Sequence, residues 1–98
     1  MAHLLYVTLQ TPEGIGYDDA FTERNRISNA VCPKVEGSED IGGGSEVPPL
    51  TVDLDFSVPD GVAGASLILA VQEELAEGWS IERVSLHHEE YGEPPDVA

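Results

Sequence analysis

The chain has 98 residues, 41% of them hydrophobic, which suits one domain with one core and is too apolar for a disordered chain. Nineteen acidic residues stand against four basic ones, a formal net charge of −15. That charge opposes direct binding to DNA, RNA or an anionic membrane, because each of these needs cations on the protein surface. A single cysteine, Cys32, excludes an internal disulfide and fits a reducing compartment. No apolar run reaches the ~18 residues of a membrane span, and the first ten residues lack the basic start of a signal peptide. The expected location is cytoplasmic.

In chain order, residues 4–10 predict a first strand, apolar on both faces and therefore central. Residues 18–31 predict a helix capped by Asp18, with Ala20, Phe21, Ile27 and Val31 on one face and Arg24 nearby. Residues 33–49 carry three consecutive glycines and a Pro-Pro pair, and predict a long connection with a flexible loop at about 36–49. A weak edge strand is placed near residues 32–36 or 40–41.

Residues 51–58 alternate cleanly. Val52, Leu54, Phe56 and Val58 form one face; Thr51, Asp53, Asp55 and Ser57 form a wet one. Residues 61–77 predict a helix capped by Asp60 and ended by Gly78, with Val62, Ala65, Ile68, Leu69, Val71, Leu75 and Ala76 as its apolar face. Residues 80–91 predict a last strand, Val84 and Leu86 inward, Arg83, Ser85, His87 and Glu89 outward.

The order β, α, weak β, β, α, β predicts an α+β fold of the ferredoxin-like βαββαβ type: an antiparallel sheet with two helices on one face. Residues 1–92 form the expected single domain and residues 93–98 a mobile tail.

Signatures of catalysis are missing. The sequence has no phosphate-binding Gly-x-x-x-x-Gly-Lys motif, no dinucleotide fingerprint, no nucleophile elbow and no His-Glu-x-x-His. The triple glycine lacks a basic residue beside it. His87-His88-Glu89-Glu90 resembles a ligand set, and His3 joins it if the first and last strands are neighbours, but adjacent strand residues point to opposite faces. Cys32 reads as a small half-buried hydrophobe, and Trp79 as a core residue. No enzymatic activity, metal or cofactor is expected.

The charge is uneven. Residues 1–34 hold four acids against three bases; residues 35–98 hold fifteen acids against Arg83 alone. Glu73, Glu74 and Glu77 fall at the predicted C-terminus of the second helix, where the helix dipole favours cations. Asp53 and Asp55 share a strand face although Asp is depleted in strands. Glu89 and Glu90 end the last strand. Local rules broken without local compensation are expected where a protein meets a partner. These seven carboxylates are the expected partner-binding residues.

In size and in the acidity of residues 35–98, though in no motif, the chain resembles the phage-encoded DNA-mimic inhibitors of the anti-CRISPR and anti-restriction type. The resemblance implies a mechanism, while the chain itself is expected to be a monomer or small homo-oligomer, in the host-cell cytoplasm if phage-encoded. Its implied partner is a basic nucleic-acid-binding protein, a CRISPR effector or nuclease, whose DNA channel it occupies. The alternative readings are a small ligand- or metal-binding module with a pocket near His3, His87 and Glu89, or an accessory protein from a halophile.

Overall fold

A computed structural model describes residues 3–46 and 50–88. Its elements are β1 (His3–Gln10), α1 (Tyr17–Val31), a 3-10 turn (Cys32–Lys34), β2 (Glu39–Gly42), β3 (Ser45–Glu46), β4 (Thr51–Val58), α2 (Gly61–Glu74) and β5 (Ser80–His88).

The sheet order is β2-β4-β1-β5, with every neighbour antiparallel and β3 also on β4. Both helices cover one face of this sheet, which is the ferredoxin-like arrangement. The core lies between them: Leu5, Val7 and Leu9 of β1, Val52, Leu54, Phe56 and Val58 of β4, Ala20, Ile27 and Val31 of α1, Leu67, Ala70 and Val71 of α2, and Trp79. β1 is central, as its two apolar faces require.

Several expectations are corrected. Helix α1 is capped by Gly16, whose N-cap position carries no side-chain hydrogen bond; Asp18 and Asp19 lie in the first turn, where carboxylates suit the helix dipole. Arg24 and Ser28 are buried on the face that meets the sheet, while Phe21 is only half-buried and packs on Tyr17 with ring centroids 5.0 Å apart.

Helix α2 starts where expected, with Asp60 Oδ1 accepting from Ala63 N at 2.8 Å. It ends at Glu74, three residues early, because Leu75 turns to extended backbone and packs against the core. Gly78 does not cap the helix. It holds φ +90° in the turn that sends Trp79 inward. The apolar face is also rotated. Gly64, Leu67, Ala70 and Val71 are buried, whereas Val62, Ala65 and Leu69 are exposed. The helix is apolar nearly all round, so periodicity does not choose a face. Gly64 lies on the buried face, next to Val58 and Leu86.

The glycine-rich connection is an edge strand. Glu39–Gly42 pairs with Ser57–Asp55, Ile41 is the extra residue of a bulge, and Ser45–Glu46 pairs with Val52–Thr51. Between them Asp53 N donates to Gly44 O at 2.9 Å. Gly43 lies so close to β4 that a Cβ there would run into the Asp53 carbonyl and sit 3.0 Å from Arg24 Nη2. Close backbone approach is what Gly43 serves, and a φ of +124° is what Gly42 serves.

Candidate acidic interface

The register of the three long strands assigns the helix-free face of the sheet. Tyr6 lies between Asp55 and Ser85, and Thr8 between Asp53 and Arg83. Glu39 pairs with Ser57 and therefore shares this face. Asp53 and Asp55 are half-buried, two residues apart on β4. Thr8 Oγ1 donates to Asp53 Oδ1 at 3.0 Å. Burial pushes the Asp55 carboxyl above the usual carboxylate range, and the negative charge of Asp53 adds to the rise, against a smaller pull from Arg24.

The helix side is the electrostatic opposite. Asp40, next to Glu39, turns to the helix face with Phe56. There it pairs with buried Arg24 at 2.8 Å and accepts from Ser28 Oγ at 2.6 Å and from Gly42 N at 2.8 Å. Burial works to raise its pKa, but these donors win and bring it down to about 2. Arg24 also donates through Nε to Asp53 O at 3.0 Å and through Nη2 to Gly42 O.

Glu74 is likewise paired. Lys34 Nζ and Arg26 Nη1 each reach it at 3.0 Å, and Arg26 also holds Glu23 at 2.6 Å. The Lys34 hydrogen bond, then that of Arg26, lowers the Glu74 pKa. The expected uncompensated acid at the end of α2 is thus corrected. Its cations come from α1 and the 3-10 turn, 48 and 40 residues away in sequence. The three basic residues of the N-terminal third all serve this side, on Asp40, Glu23 and Glu74.

Of the seven carboxylates expected to meet a partner, Asp53 and Asp55 lie together on the open face. Glu73 and Glu77 are exposed at and beyond the end of α2, and Glu74 is engaged within the fold. Glu89 and Glu90 lie outside the described residues. Glu39 was missed. Its face becomes known only once the second strand and its register are known.

The first and last strands are neighbours, with His3 opposite His88 and Leu4 opposite His87. Among the described residues no group of three or more His, Cys, Asp or Glu is arranged to hold a metal ion; Glu89 lies outside them. A groove lined by Gln10, Thr11, Pro12, Glu13, Ile15 and Leu50 opens at the other end of β1. Cys32 is half-buried, and burial raises its thiol pKa, against an opposing hydrogen bond from Ser28, so thiolate chemistry is disfavoured. Among the described residues no helix is long and apolar enough to cross a membrane.

No family model matches the chain, and no curated protein matches it. A solved structure described as a structural-genomics protein, YJCS, is similar in fold, with a TM-score of 0.55 over 90% of this chain and 98% of that one, at 13% identity.

Proposed function

We propose that this chain is a non-enzymatic acidic inhibitor. It binds the basic nucleic-acid-binding surface of a partner, a CRISPR effector or nuclease, and keeps target DNA out. The observation that carries this reading is the separation of charge across the sheet. Arg24, Arg26 and Lys34 are committed to carboxylates on the helix side. The open face keeps Glu39, Asp53 and Asp55, with Arg83 as its basic residue among those described. Asp53 and Asp55 repel one another, and Asp55 is partly desolvated.

A guanidinium or ammonium group from a partner relieves both costs at once. Carboxylates on a firm sheet offer such a partner what phosphates offer it in DNA. Charge of this kind also steers encounter over the ~10 Å Debye length at 0.1 M salt.

The test is displacement of labelled duplex DNA from a set of CRISPR effectors and nucleases, followed by fluorescence anisotropy. The protein is expected to displace DNA from at least one of them. The double variant Asp53→Lys, Asp55→Lys is expected to need about tenfold more protein or greater, and to show a shallower salt dependence. Displacement unaffected by the double variant and by about 0.5 M salt, where screening is strong, would sink the proposal.

A further inference from the structure

We propose that His3 and His88 together bind a divalent transition metal, zinc foremost. They are the first residue of β1 and the last of β5, and the antiparallel register sets them directly opposite one another. The sequence suggests a different pair, His87 with His88. That pair is a poor chelate, because neighbours on a strand take opposite faces. Pairing across the strands has no such obstacle. His87 stands opposite Leu4, on the open face with Tyr6 and Thr8, whereas the His3–His88 rung belongs to the helix-side face with Leu5 and Leu86.

Directly opposite residues of an antiparallel pair have Cβ atoms about 4.5–5.5 Å apart. Two imidazole nitrogens, each ~2.0–2.1 Å from one tetrahedral zinc, are roughly 3.3 Å from each other. A cross-strand histidine pair therefore spans one metal ion with no change in the backbone. Imidazole suits zinc, copper and nickel, whereas carboxylate oxygens suit magnesium and calcium. The nineteen acids raise the concentration of any divalent cation near the surface, and the two histidines select among them.

On its other side His3 stands opposite Val58 of β4, which is buried, an apolar wall that limits solvent access to the rung. No group of three or more His, Cys, Asp or Glu among the described residues is arranged around a metal. This is therefore a two-ligand clamp with its remaining coordination positions left to water, weaker than a closed four-ligand site. Its effect is on the sheet. β5 is an outer strand, and His88 is at its end, where strands fray. A metal held by the folded chain and not by the unfolded one stabilises by mass action and pins that end to β1. The rung shares no residue with the acidic open face, so this inference is independent of the inhibitor reading.

The test is zinc titration of the full chain, first stripped of metal by a chelator, followed by calorimetry and by the imidazole C–H signals of its three histidines in NMR spectra. One equivalent of zinc is expected to bind, to move the signals of His3 and His88 while those of His87 stay nearly in place, and to raise the melting temperature. His3→Ala and His88→Ala are each expected to weaken binding about tenfold or more, and His87→Ala less than about twofold. The NMR readout uses the native chain, so it decides the matter even if a variant folds poorly. Asp53→Lys with Asp55→Lys is expected to leave the affinity of this site unchanged, which separates this inference from the one above. No saturable binding up to about 1 mM zinc, binding that all three histidine variants leave intact, or His87 signals that move as far as those of His88, overturns it.

Discussion

Arg24 sends its N–H groups to the Asp40 carboxylate, the Asn25 amide and the carbonyls of Gly42 and Asp53. At the bulge, where strand pairing is interrupted, the guanidinium takes the place of ladder donors, which a planar fork of five N–H groups does and an ammonium does not. Removing it takes a donor from the carbonyls of Gly42 and Asp53 and leaves the Asp40 carboxylate with Ser28 and Gly42 N alone. Arg24→Ala is expected to cost about 2–4 kcal/mol in urea unfolding, less than a fully buried pair because Asp40 can rehydrate, and Arg24→Lys to recover less than half of that.

The pH dependence has a definite sign. The folded pKa of Asp40 is about 2, below the 3.8 of an unperturbed Asp. Its stabilisation is complete above the unfolded value and is lost as pH falls from about 4 toward 2. The stability difference between the native chain and Arg24→Ala should therefore shrink across that window. A difference that stays constant down to pH 2 would assign the effect to packing of the Arg24 stem instead.

Among the elements, the broken edge strand formed by β2 and β3 depends most on contacts from outside itself. It has few residues, a bulge and no buried apolar side chain in β2; its hold on the molecule is Arg24, Ser28 and the close pass of Gly43 over β4. Gly43→Ala is expected to cost about 2–4 kcal/mol and to speed amide exchange in residues 39–46 more than in β1, since the new Cβ must push the segment off Asp53.

The same dependence explains what the sequence conveyed. The faces of β4, and with them the placement of Asp53 and Asp55, follow from strict alternation in Thr51–Val58. The central place of β1 follows from its two apolar faces. The second strand is obscured because its stabilising residue lies 16 positions upstream, and glycines read locally as breakers. The buried face of α2 is obscured because almost every side offers an apolar residue. The neutralisation of Glu74 is obscured because Arg26 and Lys34 meet it only in the folded chain.

Over the whole molecule, repulsion among nineteen acids opposes compaction, while the exposed pairs of Arg26 and Lys34 with Glu74 contribute little individually. Salt weakens both, and the repulsion is the larger quantity. The melting temperature is expected to rise by several degrees between about 0.05 M and 1 M NaCl, as the Debye length falls to about 3 Å. Circular dichroism should already be native at the lower concentration. Unfolding in dilute buffer would instead favour adaptation to a saline cell as the origin of the charge.

The place of β1 between β4 and β5 also bears on how the chain reaches this state. A strand made in the first ten residues finds its neighbours only after residues 51–58 and 80–88 have been made. Until then both of its apolar faces and both hydrogen-bonding edges lack their native partners. The sheet cannot grow outward from the first strand as the chain is synthesised. It closes around that strand late, so folding waits for most of the sequence, and contacts of long sequence separation set its rate.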